Sequence, residues 1–241
     1  MKKKPLAVLA VVPAFNESEA IGGVVSELRA VSPPVDVVVV DDGSSDGTAR
    51  LAETAGARVL RLPINLGIGG AVQTGFRYAA RNGYDAVIQV DGDGQHVPSE
   101  IPALLEAMSG TGADVVIGSR FLAARGYTTS PARRIGTRVF SLFNSLALGR
   151  RITDNTSGFR AYNARAVRFL SENYPQDYPE PESVVLLGRN GFSIREVPVR
   201  MREREHGRSS ISAFGSVYYM VKVLLAIFVD LFKARIVRQE G

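Results

Sequence analysis

Short apolar runs that stop at charged residues set the strongest limit on how this chain can fold. "LAVLAVV" (6–12), "VDVVVV" (35–40), "AVIQV" (86–90) and "DVVIGSRF" (114–121) are five to eight residues each and rich in β-branched side chains. They lack the strict alternation of a half-exposed strand and suit strands buried on both faces. The stretches between them carry helical signals. Ile21, Val24, Val25 and Leu28 recur at helical spacing within 18–31. "GSSDGT" is a turn with a capping residue that leads into a helix to about Ala55, and 65–83 and 98–109 read as helices too. "RVLRL" (58–62) adds a short strand. This alternation predicts an α/β domain built on a mostly parallel, doubly wound sheet, where ligands bind at the carboxyl ends of the strands. Asp41, Asp42, Asp91, Asp93 and Arg120 all fall at such ends.

The first run follows Lys2, Lys3 and Lys4, as in a secretory leader. No small-residue cleavage site follows it, and "NESEA" opens a helix, so the run reads as a buried first strand. At 241 residues and 45% hydrophobic, the chain can enclose one substantial core. Beyond 121 the alternation fades. Residues 122–134 read as a loop, 135–149 as a helix, "DNTSGFRAYN" (154–163) as turn-rich, and the three-proline stretch 174–183 as irregular. Residues 193–204 alternate like a strand. The absence of cysteine excludes disulfides and thiolate metal sites and suits a reducing compartment. Charge is split along the chain. Residues 1–117 hold 9 Lys/Arg against 14 Asp/Glu, whereas 118–241 hold 20 against 10. An acidic half suited to a cation thus precedes a basic half suited to anions. The basic half lacks interleaved aromatics or a binding motif, which argues against a nucleic-acid partner.

Asp91 and Asp93 lie in "VDGDGQH" with only Gly92 between them. An EF-hand counted from Asp91 needs Gly at its sixth position and Glu at its twelfth, where this chain has His96 and Pro102. Two readings stay open: side chains capping the helix near Pro98, or an oxygen-rich site for Mg²⁺ or Mn²⁺ with Gln95 as third donor and substrate phosphates as co-ligands. The Gly-rich "GIGGAV" has neither the dinucleotide-fold nor the P-loop spacing.

Six segments occur in order: "VVPAFNE" (11–17), "VVDDGSSDGT" (39–48), "NLGIGGAVQTGF" (65–76), "VDGDGQHVP" (90–98), "GSRF" (118–121) and "TSGFR" (156–160). Together they resemble the inverting family 2 glycosyltransferases of GT-A fold. More narrowly, the chain looks like the dolichol-phosphate mannosyltransferase, or polyprenyl-phosphate glycosyltransferase, branch over residues 6–210. The resemblance implies a GT-A domain over 1–208. It implies a nucleotide-sugar donor, GDP-mannose or a UDP-hexose, held by Pro13, Phe15, Glu17, Val40 and Asp42, with Asn65, Gly67, Asp91 and Gly92 beside them. Asp91, Asp93 and Gln95 would hold Mg²⁺ or Mn²⁺ against the donor diphosphate, so a dication offsets the carboxylate repulsion. Arg204 matches the arginine of the branch's R-x-x-G-x-S-K. Ser210 replaces its lysine, and Arg208 is the substitute cation.

The implied reaction is displacement at the sugar C1 through an oxocarbenium-like transition state, with Asp93 and Arg120 at the reacting centre. Arg120, Arg133 and Thr137 would bind an acceptor phosphate. A polyprenyl phosphate needs no general base. A saccharide hydroxyl in cell-wall or capsule synthesis, the alternative acceptor, does, and Asp154 and Glu182 are the candidates. Intact Asp91, Asp93 and Gln95 argue against an inactive nucleotide-sugar-binding subunit.

Residues 209–241 form the expected second unit, a long apolar helix in which Lys222, Ala226, Asp230 and Lys233 share one stripe. No uncharged run reaches about 18 residues, so an interfacial helix is expected rather than a transmembrane span. Packing on the domain, or homo-oligomer formation through this helix, are the alternatives. The expected location is cytoplasmic, peripheral on the inner face of the cell membrane.

Overall fold

The computed structural model describes residues 6–122, 145, 151–202 and 222. The expected helices at 135–149 and 209–236, and the residues Arg133, Thr137, Arg204 and Arg208, lie outside the described residues, apart from Ser145 and Lys222.

The alternation is borne out. Strands β1 (Val8–Ala14), β2 (Asp36–Asp41), β3 (Arg58–Arg61), β4 (Ala86–Gln89) and β5 (Val115–Ser119) are interleaved with helices α1 (Ile21–Arg29), α2 (Thr48–Thr54), α3 (Gly67–Arg81) and α4 (Ile101–Thr111). Then come β6 (Arg160–Asn163), α5 (Ala164–Asn173), α6 (Pro179–Arg189) and β7 (Ile194–Pro198). One seven-stranded sheet runs β3-β2-β1-β4-β6-β5-β7. All its pairings are parallel except those of β6, which is antiparallel to both β4 and β5.

The apolar runs are explained by two-sided burial. Val8, Ala10 and Val12 of β1 point into a core shared with Ile21, Val25 and Leu28 of α1 and Leu104 of α4. Leu9 and Val11 point into the opposite core, shared with Val72 and Phe76 of α3, Leu170 of α5 and Leu187 of α6. Each such side chain, fully buried, contributes roughly 1.5–3 kcal/mol. Helix α3 lies directly on β1, because a Cβ on Gly75 would run into the Val11 side chain.

Two readings are corrected. The turn-rich 154–163 contains β6, whose Arg160 is buried with each of its three guanidinium nitrogens donating to a neighbour. Its Nε donates to Ser157 O (2.7 Å), Nη1 to Ser183 Oγ (2.9 Å), and Nη2 to Asn155 O (2.8 Å) and Glu180 O (2.9 Å). The proline-rich 174–183 is not irregular throughout. Pro179 and Pro181 open α6, within the first turn, where a helix needs no N–H donors.

Candidate active site

The parallel register brings the ends of β1, β2 and β4 to one edge. Pro13 sits opposite Val40 and Ala14 opposite Asp41. Asp42 N donates to Ala14 O (2.8 Å), and Val90 N to Val11 O (3.0 Å). An open cleft of about 320 Å³ begins there. Of the expected donor-site residues, Pro13, Phe15, Glu17, Asp42, Asn65, Gly67, Asp91 and Gly92 all line it, as does Asp93. Val40 does not line it; it is buried beneath. Ala14, Ile68, Ala71 and Glu180 complete the wall.

One end of the cleft is built by two stapled loops. Asn16, in the left-handed region at φ 54°, accepts from Ser45 N at Oδ1 (2.9 Å) and donates its own N–H to Ser44 Oγ (2.9 Å). Glu17 N donates to Thr48 Oγ1 (2.9 Å) and Ser18 N to Asp46 (3.2 Å). Burial raises the Asp46 pKa, but hydrogen bonds from Thr48 and Ser18 outweigh it and hold the carboxyl below its ordinary value. A depressed carboxyl stabilises the fold above its unfolded pKa, and that stability is lost as pH falls through the folded value. Asp46→Asn should therefore flatten the acid limb of a stability–pH curve below about pH 4, read by thermal melts. Asp42, buried, accepts from Leu66 N at Oδ1 (2.7 Å) and so fixes the start of α3 beside the cleft.

The carboxylate end is shaped by a residue whose role the sequence did not reveal. His96, buried and stacked on Phe159 at 4.9 Å, accepts from Asp91 N at Nδ1 (2.9 Å). That bond leaves the proton on Nε2, which lies 3.5 Å from Asp91 Oδ2. Burial lowers the His96 pKa to about 4, with Asp93 opposing and Arg120 reinforcing the shift. The ring is therefore neutral near pH 7. Asp93 Oδ1 accepts from Gln95 N (3.0 Å). Gln95 enters this loop through its backbone, its carbonyl accepting from Arg202 N (2.8 Å), and its side chain is not part of the cleft wall.

Among the described residues no group of three or more His, Cys, Asp or Glu is close enough to hold a metal. Two carboxylates on one cleft wall are nonetheless a donor set that fits Mg²⁺ or Mn²⁺, which keep waters and substrate phosphates as their remaining ligands. Gly158 makes room for this pair. A Cβ there would lie 3.0 and 3.2 Å from the Asp91 carboxylate oxygens. Gly158→Ala should shift Asp91 and weaken Mn²⁺ binding about tenfold, on the scale of altered metal-site support, measured by Mn²⁺ titration in the presence of a nucleoside diphosphate.

Arg120 and Asp154 form one unit. Asp154, fully buried, accepts from Arg120 N (3.0 Å) and Nε (2.8 Å) at Oδ2, and from Nη2 (2.7 Å) at Oδ1. Nη2 also donates to Thr156 Oγ1 (2.7 Å). Arg120 does not line the cleft; it is tied to the Asp91–Asp93 loop through Gly118, two residues before it, whose N donates to the carbonyl of Phe159 (2.8 Å), the residue whose ring stacks on His96. The expectation of Asp154 as a base is corrected: both its oxygens are committed to Arg120. Glu182 is corrected as well. It is buried on α6 and is absent from the cleft wall, where Glu180 stands instead. Residues two apart on a helix differ by about 200° in direction. Burial raises the Glu180 pKa, Arg160 opposes that, and Asp91 adds to it.

Comparisons with known proteins agree with this fold. The family model "Glycosyl transferase family 2" matches residues 9–170. An undecaprenyl-phosphate mannosyltransferase of Micrococcus luteus is 36% identical over 216 residues, covering 86% of this chain and 88% of that protein. A polyprenol monophosphomannose synthase of Mycolicibacterium smegmatis is 33% identical, covering 89% of this chain and 84% of that one. Among solved structures, glucosyl-3-phosphoglycerate synthase from Mycobacterium tuberculosis with Mn²⁺, UDP-glucose and phosphoglyceric acid superposes with a TM-score of 0.69. It is 21% identical and covers 94% of this chain and 79% of that one, a likeness of fold.

Proposed function

Because this chain belongs to glycosyltransferase family 2, we propose that it moves one sugar from a nucleotide donor, GDP-mannose or a UDP-hexose, to a polyprenyl phosphate at a membrane surface. The observation on which the acceptor rests is the Asp154-clamped Arg120 guanidinium at the end of β5, the strand whose Gly118 bonds Phe159 under His96. The names of the two relatives, an undecaprenyl-phosphate mannosyltransferase and a polyprenol monophosphomannose synthase, support it. So does the loss of both expected bases, since a phosphate monoester has a second pKa of about 6 and arrives already ionised.

In this reading an acceptor phosphate oxygen attacks the sugar C1 from the face opposite the diphosphate. The C1–O bond breaks, and the nucleoside diphosphate leaves with its electron pair. No proton has to move. Asp91 and Asp93 would hold Mg²⁺ or Mn²⁺, which supplies charge neutralisation for the leaving diphosphate. Solved neighbours of the same fold contain Mn²⁺ or Mg²⁺ with UDP, which supports that choice of ion. Arg120 would orient the acceptor with the guanidinium edge left by Asp154, which takes Nε and Nη2 and so fixes the plane of the group. Among the described residues no helix is long and apolar enough to cross a membrane. By its sequence, the segment 209–241 is the one we assign to membrane contact, since its apolar stretch and final basic residues suit an interface.

The direct test is incubation with radiolabelled GDP-mannose or UDP-glucose, Mn²⁺ and a polyprenyl phosphate. Label extracted into chloroform is the expected result. Label that stays aqueous and moves onto added oligosaccharide overturns the lipid acceptor. One observation favours that second reading: Glu180 is a cleft carboxyl of raised pKa and has the chemistry of a base for a hydroxyl. Glu180→Gln separates the two. A phosphate acceptor leaves kcat within a few-fold, whereas a base-dependent hydroxyl acceptor loses about 10²–10⁴.

A further inference from the structure

Behind the Arg120–Asp154 pair, on the side away from the cleft, stands a carboxylate that no step above uses. Glu196 lies on β7, paired beside Ile117 of β5. Its side chain reaches the loop that carries Asp154 and accepts every donor that loop turns toward it. Thr153 N donates to Oε1 (3.0 Å) and Oε2 (2.8 Å), Thr153 Oγ1 to Oε1 (2.9 Å), and Asp154 N to Oε1 (2.8 Å). Thr153 Oγ1 is also 2.9 Å from Ser119 Oγ, one residue before Arg120. The backbone of 153–154 is thereby held at both ends of the arginine clamp.

Glu196 is not part of the wall of the cleft. It lines a separate cavity of about 410 Å³, which also includes Arg151 and Arg195. A hydrogen bond to a charged group is stronger than one between neutral groups. A loop pinned by several of them has little freedom to rotate Asp154 off the Arg120 fork.

We propose that Glu196 is a positioning residue for the acceptor. It sets the 153–154 backbone so that Asp154 presents the Arg120 guanidinium in one orientation. The inference rests on the reading of Arg120 as the acceptor-phosphate ligand.

The test uses the full chain with a polyprenyl phosphate and whichever of GDP-mannose or UDP-glucose is turned over. Glu196→Ala and Glu196→Gln are each compared with Arg120→Ala and with the double variant Glu196→Ala/Arg120→Ala. Glu196→Ala is expected to raise the acceptor KM about tenfold, within the roughly hundredfold that a 1 Å misplacement can cost. The donor KM and the melting-point rise caused by nucleoside diphosphate with Mn²⁺ stay unchanged. Glu196→Gln falls between, because its amide oxygen still accepts while its NH₂ opposes the loop donors. In the Arg120→Ala background the Glu196 change adds nothing, since the group it positions is gone. Donor and acceptor KM rising together with a falling melting point, or losses that multiply in the double variant, overturn the inference and leave Glu196 a fold stabiliser. A normal acceptor KM in Glu196→Ala, with a defective Arg120→Ala, overturns the inference alone. A normal acceptor KM in Arg120→Ala overturns the acceptor reading, and the positioning role with it.

Discussion

Asp91→Ala should fold normally and lose sugar transfer by a factor on the order of 10²–10³, the size of effect seen when one fixed electrostatic contribution to a transition state is removed. The fold is spared for two reasons. The backbone N–H of Asp91, the group that His96 binds, survives the substitution. The side chain also stands in an acidic setting with Asp93 and Glu180 on the same cleft wall. Removing one of three neighbouring carboxylates relieves repulsion, so the melting point should hold or rise. The functional loss comes from the ion. With one carboxylate left, a divalent cation has too few protein oxygens to stay bound against the diphosphate, and the leaving charge is no longer neutralised. Two measurements check this together: thermal melts of the variant, and initial rates across a Mn²⁺ series with saturating donor. An Asp91→Ala enzyme with the parent's rate and metal response would end the assignment of the pair as metal ligands.

The contrast between Asp91 and Glu182 shows what the sequence could and could not reveal. Strand-end aspartates are legible because β1, β2 and β4 each carry a continuous apolar run, and the chemistry begins where that run stops. Parallel register then forces those ends to one edge, so Pro13, Asp42 and Asp91 converge without further information. No such rule governs the second half. β6 has four residues, and its Arg160 reads as surface in any hydropathy scheme. It is buried because carbonyls of Asn155, Ser157 and Glu180 are aimed at its guanidinium. Those carbonyls come from turns whose geometry depends on the finished fold. The antiparallel insertion of β6 between β4 and β5 is a topological fact with no local signal. Helix α6 hid behind prolines that break a helix interior yet start one well. With its phase unknown, Glu180 and Glu182 were interchangeable in the sequence, although only Glu180 lines the cleft. His96 was likewise invisible as a support for Asp91. Its meaning lies in burial against Phe159, a residue 63 positions away in sequence.

The larger combined loss is expected from the most conservative change at the acceptor end, Arg120→Lys. Charge is kept, so if a point charge were all that an acceptor phosphate needs, the variant would work. The geometry argues otherwise. Arg120 uses Nε and Nη2 together to engage both oxygens of Asp154, and Nη2 reaches Thr156 as well. A lysine has one ammonium nitrogen and cannot bridge two carboxylate oxygens in that plane. Asp154 is fully buried, so a carboxylate there left without its fork is expensive; breaking one side of a buried pair costs about 3–5 kcal/mol. The lysine must either turn back to satisfy Asp154 and abandon the phosphate, or face the phosphate and leave Asp154 poorly paired. Each choice lowers transfer. We expect kcat/KM for the polyprenyl phosphate to fall at least about a hundredfold, with a lower melting point, while nucleoside diphosphate with Mn²⁺ still raises that melting point as in the parent. The Asp154→Asn/Arg120→Lys double variant should recover the melting point, because the buried charge is gone, without recovering turnover. That split between stability and transfer identifies Arg120 as the acceptor's ligand and Asp154 as its holder. Full activity in Arg120→Lys alone would show that a diffuse positive charge suffices, and the planar fork would then have no catalytic meaning.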